Sequence, residues 1–132
     1  MSKAIPIRKY MTPGPHSVGA EQPLVQADAM MRQHGIRHLP VLHGGKLVGI
    51  VSDRDLKLVE SIPDVNPKLI TVSDAMTADV YSVSPETPIH EVVQSMAVHK
   101  YGSAVVMEHG KVVGIFTTVD VCKVFLELVP AH

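Results

Sequence analysis

The chain lacks most of what covalent and redox chemistry would need. Cys122 is the only cysteine among 132 residues, which excludes an internal disulfide and a cysteine-built metal cluster and leaves a side chain expected to pack as a small buried hydrophobe. Tryptophan is absent and phenylalanine occurs twice, so the core must be aliphatic. Charge of one sign is missing too. Twelve Lys and Arg against thirteen Asp and Glu give a net charge of −1, with no basic run to follow a nucleic-acid backbone. The segment Met1 to Arg8 has no apolar stretch of signal-peptide type, and no apolar run is long enough to span a bilayer. The expectation is a soluble cytoplasmic protein with neither membrane nor nucleic acid as partner.

Catalytic signatures are missing as well. There is no Gly-x-Ser-x-Gly elbow, Walker loop or dinucleotide fingerprint, and Cys122 has no evident base. Ser52 beside His38 could form a nucleophile pair, but the repeat described below puts Thr117 and Ser103 at those positions. Eight histidines (16, 34, 38, 43, 90, 99, 109 and 132) include no His-x-x-x-His pair on one predicted helix, so no metal site is expected. The protein is expected not to be an enzyme.

What is present is repetition. Residues 11–56 align with 76–121 without a gap at a constant offset of 65, and fifteen of the 46 pairs are identical: Met11, Thr12, Ser17, Val18, Glu21, Pro23, Met31, His34, Val41, Gly45, Lys46, Val48, Gly49, Ile50 and Asp55 all recur. Unrelated segments of ordinary composition would share about three. Two copies are too few for a solenoid and point to a pseudo-twofold pair. Each copy is near the lower size limit for folding alone, which implies a core shared between them. With 45% hydrophobic and 19% charged residues, the chain is globular rather than disordered.

Each copy reads as strand, helix, strand, strand, helix. In the first, Ser17-Val18 precede a helix whose apolar face is Leu24, Ala27, Met30 and Met31, and Gly35 stops it. Leu39 to Leu42 and Leu47 to Val51 flank the hairpin turn His43-Gly44-Gly45-Lys46, and a helix follows from Asp53 to about Ser61. In the second, Thr87-Pro88 reads as a cap with a first-turn proline before the face Ile89, Val92, Val93 and Met96. Strands at Ala104 to Met107 and Val112 to Phe116 and a helix from Thr118 to Leu128 complete it. His34 and His99 fall at helix ends, where a cation complements the dipole. Met30, Met31 and Met96 read as core or interface fillers.

The most informative local pattern is Gly49-Ile50-Val51-Ser52-Asp53-Arg54-Asp55, mirrored by Gly114-Ile115-Phe116-Thr117-Thr118-Val119-Asp120. A strand ending in a hydroxyl residue runs into a helix whose third residue is aspartate. Free backbone N–H groups at a helix start favour phosphate, and a carboxylate can accept both hydroxyl protons of a ribose. The same spacing also fits a capping box, in which the two side chains only satisfy each other's backbone. The local pattern leaves both readings open.

Met-Thr near the start, Glu-x-Pro before the first helix, Gly-Lys at the hairpin turn and Gly-h-h-(Ser/Thr)-x-x-Asp at the end together resemble the cystathionine-β-synthase (CBS) domain. Two in tandem resemble a stand-alone Bateman module. The resemblance covers roughly Ile7 to Leu128 and implies an α/β (α+β) fold of two β-α-β-β-α repeats about a pseudo-twofold axis, with repeat 1 at 7–61, a linker at 62–68 and repeat 2 at 69–128. It implies two clefts between the repeats for an adenosine ligand: AMP, ADP, ATP or S-adenosylmethionine. Asp55 and Asp120 would hold ribose hydroxyls, Ser52 and Thr117 would touch ribose or phosphate, and Ile50 and Ile115 could wall the adenine. Arg37, His38 and Arg54 could meet phosphate, whereas repeat 2 has Gly102, Ser103 and Val119 at those positions. The cleft around Asp55 is therefore expected to be the one built for phosphate, charge-assisted hydrogen bonds being about twice as strong as neutral ones.

The expected function is that of a regulatory sensor of adenine nucleotides or S-adenosylmethionine, acting on an unidentified regulated protein. By resemblance it would be a homodimer joined through helices, with the apolar residues Val124, Leu126 and Leu128 compatible with that or with internal packing. Competing readings are an interaction module with empty clefts and a nucleic-acid- or metal-responsive regulator.

Overall fold

The computed structural model describes residues 4–131. Leu24, Ala27 and Met31 recur at helical spacing and are buried together, forming α1 (Leu24–His34), which Gly35 ends in the left-handed conformation. The alternating segments on either side of Gly44-Gly45 form β3 (His38–His43) and β4 (Lys46–Ser52). Both turn glycines have positive φ, as the tight hairpin requires.

In chain order the remaining elements are β1 (Thr12–Pro13), β2 (Val18–Gly19), α2 (Asp53–Glu60), α3 (Val72–Ala75), β5 (Ser82–Val83), α4 (Ile89–His99), β6 (Ser103–Glu108), β7 (Lys111–Thr117) and α5 (Thr118–Leu128). One sheet has the order β2-β3-β4 and the other β1-β7-β6-β5. In each, a parallel pair (β2 with β3, β5 with β6) adjoins an antiparallel hairpin. The mixed α/β fold expected from the sequence is present.

The compact units are not simple halves of the chain. One runs from His16 to Val80; the other joins the residues through Pro15 to those from Tyr81 onward. Each unit therefore contains the leading segment of the opposite repeat. In the His16–Val80 unit, the Leu24 amide donates to the Ile70 carbonyl at 2.8 Å and the Val72 amide to Gln22 at 2.8 Å. Ile50 and Thr77 exchange backbone bonds of 2.9 and 2.8 Å. The other unit repeats this 65 positions away. Ile89 donates to Ile5 at 2.7 Å, Ile7 to Thr87 at 2.8 Å, and Thr12 pairs with Ile115.

Each unit also has its own core. Val18, Leu24, Ala27, Met31, Leu39, Val41, Val51, Leu56 and Val72 form one apolar cluster; Ile7, Ile89, Val92, Met96, Ala104, Val106, Phe116 and Val124 form the other. The expected single shared core is replaced by two, because the exchanged segments bring Val72 and Ile7, both fully buried, into the opposite repeat.

Two other expectations change. Cys122 is exposed on α5 rather than buried, because Val124 supplies the inward contact there. Leu126 and Leu128 are likewise exposed, so Val124 alone of that group packs inward. Thr87 does not cap α4: Pro88 occupies the cap position, and the Thr87 hydroxyl oxygen accepts the Ser84 amide at 3.2 Å.

The Met-Thr repeat now has a physical reason. A Cβ placed on Gly49 would lie 2.9 Å from the Thr77 carbonyl oxygen and collide with the Met76 sulfur; on Gly114 it would lie 2.9 Å from Met11 Cγ. The glycines are required by close approach of these segments. Gly49→Ala and Gly114→Ala should each destabilise the protein by about 1–3 kcal/mol, the usual cost of overpacking. Urea unfolding measures it, and an unchanged midpoint would show that the segments do not dock as described.

Candidate functional site

The hairpin register places the candidate residues of the His16–Val80 unit. His38 opens β3 and lies directly across from Ser52, the last residue of β4. One residue earlier, the Arg37 carbonyl accepts the Asp53 amide at 3.0 Å, which ties the lead into β3 to the first turn of α2. Arg37, His38, Ser52, Asp53 and Asp55 are thus brought together by backbone pairing. Arg54 follows on the exposed side of α2, and Ile50 is half-buried two pairs away, opposite Pro40.

The Ser52 amide donates to Asp55 Oδ2 at 2.8 Å, the Ser52 hydroxyl donates to the same oxygen at 3.1 Å, and the Asp55 amide donates to Ser52 Oγ at 3.3 Å. The capping box is therefore formed. It does not consume the carboxylate. Every bond that Asp55 accepts among the described residues falls on Oδ2, which leaves Oδ1 for another donor. Capping and ligand binding are compatible at this aspartate.

Charge around this point is mixed. Asp53 and Asp55 both lie in the first turn of α2, where the helix dipole favours anions. Lys57 reaches Asp53 at 3.9 Å. His38 is half-buried, and its pKa is lowered from the ordinary 6.5 because burial penalises the imidazolium; Arg37 adds to this, while Asp53 and Asp55 oppose it.

The second unit repeats the backbone but not the charges. Ser103 lies across from Thr117; the Thr117 amide donates to Asp120 Oδ2 at 2.9 Å and its hydroxyl to the same oxygen at 3.3 Å. Asp120 and Ser103 are buried, and Ile115 is buried and paired with Thr12. Gly102, Thr118 and Val119 stand where the first unit has Arg37, Asp53 and Arg54. Asp120 is the only one of these positions that bears a formal charge.

Sequence reasoning missed Thr77, Thr12 and Asp53 as parts of these sites. Thr77 and Thr12 pair with Ile50 and Ile115, two residues before the hydroxyl residue of each box. The Met-Thr recurrence was the available signal for them. Asp53 carried none, since its counterpart Thr118 is uncharged. Among the described residues, no three His, Cys, Asp or Glu side chains are grouped to hold a metal ion, and no helix is long and apolar enough to cross a membrane.

Two like units, each closing a short sheet with a strand-to-helix box, define a tandem-repeat module. The chain belongs to the CBS domain family, which matches it twice, over residues 7–61 and 72–127; as a CBS pair it is a regulatory module. It is 41% identical over 106 residues to inosine-5′-monophosphate dehydrogenase of Korarchaeum cryptofilum, a match covering 80% of this chain and 21% of that enzyme. The chain thus spans about a fifth of that relative. The solved AcuB protein of Vibrio cholerae superposes with a TM-score of 0.85 at 31% identity, over 96% of this chain and 93% of that one. The CBS domain pair of protein MJ0100, solved with 5′-methylthioadenosine and S-adenosyl-L-methionine, gives 0.84 at 25% identity, over 93% and 97%.

The ionisation of His38 makes stability depend on pH. Its folded pKa lies below the unfolded value, so between the two the unfolded chain binds more protons and folding weakens as pH falls. The stability is fully present above the unfolded value and lost as pH drops through the folded one. Thermal unfolding at a series of pH values should show this decline in the ligand-free protein, reduced in His38→Asn; equal pH dependence in both proteins would remove His38 as its source.

Proposed function

We propose that the protein is a sensor of adenosine ligands, binding AMP, ADP, ATP or S-adenosylmethionine at its strand-to-helix boxes and signalling occupancy to a regulated protein. The observation that carries this reading is the register-fixed meeting of Arg37 and His38 with Ser52 and Asp55. It sets a guanidinium, an imidazole, a hydroxyl and a carboxylate with one uncommitted oxygen at the start of a helix. Asp55 and Asp120 hold the ribose, Ser52 and Thr117 contact ribose or phosphate, and Ile50 and Ile115 flank the base. Arg37, His38 and Arg54 favour phosphate at the first box, while Ser103 and the uncharged surroundings of Asp120 favour a less charged ligand at the second. The adenosine ligands held by the CBS pair of protein MJ0100 support this class of ligand.

Signalling follows from differential affinity: a ligand shifts only an equilibrium between states that it binds unequally. The segment carrying Thr77, paired to Ile50 beside the first box, continues within four residues into Tyr81, where the other compact unit resumes. A ligand that changes the docking of this segment acts on the covalent connection between the units. The exposed Phe125, Leu126 and Leu128 of α5 support a homodimer through helices.

The completed Ser52–Asp55 capping box favours a second reading, an interaction module that binds no nucleoside. Isothermal calorimetry with AMP, ATP and S-adenosylmethionine separates the two. Wild type should bind at least one of them, Asp55→Ala should lose about ten- to hundred-fold in affinity through loss of charged hydrogen bonds, and Asp55→Asn, which keeps an acceptor for the cap, should be weakened as well. Absence of heat with every adenosine ligand would favour the interaction module.

A further inference from the structure

The charges that converge on the first box nearly cancel. Arg37 from the lead into β3 and Arg54 and Lys57 from α2 supply three positive charges, Lys57 lying 3.9 Å from Asp53; Asp53 and Asp55 from the first turn of α2 supply two negative ones. Ser52, across the hairpin from His38, is neutral and already engaged with Asp55. The titratable group left to change the charge of the site is His38. It sits at the point where the hairpin register meets the helix start, half-buried, and its counterpart in the other unit is Ser103, which cannot titrate.

We infer that His38 selects ligands by charge: a phosphorylated adenosine ligand binds with uptake of a proton on His38, whereas a ligand without phosphate binds with the ring neutral. The inference rests on the adenosine reading above and adds to it a specificity-determining residue and a coupling to pH. A ribose anchored on Asp55 by its 2′ and 3′ hydroxyls carries its 5′ phosphate on C5′, two bonds from C3′, so that the phosphate stays close to the side chains grouped around Ser52. With His38 neutral, that phosphate meets a site whose cations are largely offset by Asp53 and Asp55, which repel it. Protonation adds a positive charge and a charge-assisted donor.

In the free protein, burial holds the imidazole pKa below its ordinary value, so the proton is largely absent near neutral pH. A bound phosphate raises that pKa by favouring the charged form. When the bound pKa exceeds the free one, affinity for phosphate ligands is highest below the free value and falls as pH rises through the bound one. Each unit of separation corresponds to about ten-fold in affinity between the two limits. A cationic ligand such as S-adenosylmethionine follows the opposite course, since protonation places like charges together.

The test is a proton NMR titration of the wild-type protein, with the His38 ring signal identified by its loss in His38→Asn and, independently, in His38→Gln. It is run free, with saturating adenosine and with saturating AMP. The expected result is a His38 pKa raised by AMP and unmoved by adenosine. Calorimetry from about pH 8 to about pH 6 should then show AMP affinity rising more in wild type than in either variant, a comparison that cancels the ionisation of the phosphate itself, whose second pKa is about 6. AMP binding with the His38 titration unchanged overturns the inference and leaves the adenosine reading standing, as does binding of adenosine or S-adenosylmethionine with none of AMP. Failure of every adenosine ligand to bind overturns both.

Discussion

Docking of each repeat's leading segment on the other repeat's hairpin is the constraint on which the rest of the structure depends. Without the segment ending in Thr77, β4 would lose its Ile50 partner, α1 the carbonyl of Ile70 that receives its first amide, and the core Val72. Backbone donors and acceptors left unpaired next to a buried core cost free energy comparable to a lost hydrogen bond. The segment is therefore a structural part of the unit it joins. Its closeness requires no side chain at Gly49 and a slim, adaptable one at Met76, and methionine's unbranched thioether suits such a contact. The same pairing of glycine and methionine recurs at Gly114 and Met11, so one local solution is used twice.

This arrangement also explains the uneven legibility of the sequence. Helices and hairpins were readable because their signals are local: the spacing of Leu24, Ala27 and Met31, the stop at Gly35 and the Gly44-Gly45 turn each act within a few residues. The segment exchange was not readable, since an offset of 65 reports that positions correspond and does not say which copy of Met-Thr lies on which glycine. Pairing of Met11 with Gly49 would have produced the same repeat. The misplacements of Cys122 and the Thr87 cap have a smaller cause. A single small residue on an amphipathic helix fits either face, and a threonine before proline can turn its hydroxyl forward to the helix or back to Ser84.

For the site, the sequence identified residue types and the structure supplied their grouping. Ser52 and Asp55 are three residues apart, and their contact follows from helix geometry. Arg37 and His38 are 14 residues from Ser52 or more, and only the β3–β4 register, with His38 across from Ser52, places them at the same helix start. That register is enforced by burial, because a slip of one residue would turn Leu39, Val41 and Val51, all fully buried, to the opposite face. The same apolar pattern that makes the core thus aligns the polar residues. Asp53 escaped notice because it has no charged counterpart in the second copy, although its charge acts on His38.

The repeat holds the backbone of the two boxes alike and leaves their electrostatics free to differ. Ser103 pairs with Thr117 as His38 pairs with Ser52, and both aspartates bond back through Oδ2 to the residue that opens the helix. These features depend on backbone geometry, in which the units agree. The charged side chains do not affect that geometry, so their replacement by Gly102, Ser103, Thr118 and Val119 costs the fold little and changes the field a ligand meets. Burial of Asp120 behind uncharged neighbours strengthens any hydrogen bond it makes while penalising an unpaired charge beside it. None of the positions that correspond to Arg37, His38 and Arg54 offers a second anion there a cation to offset its desolvation. Around Asp55, by contrast, exposed and half-buried groups of both signs largely offset one another, and a single proton shifts the balance.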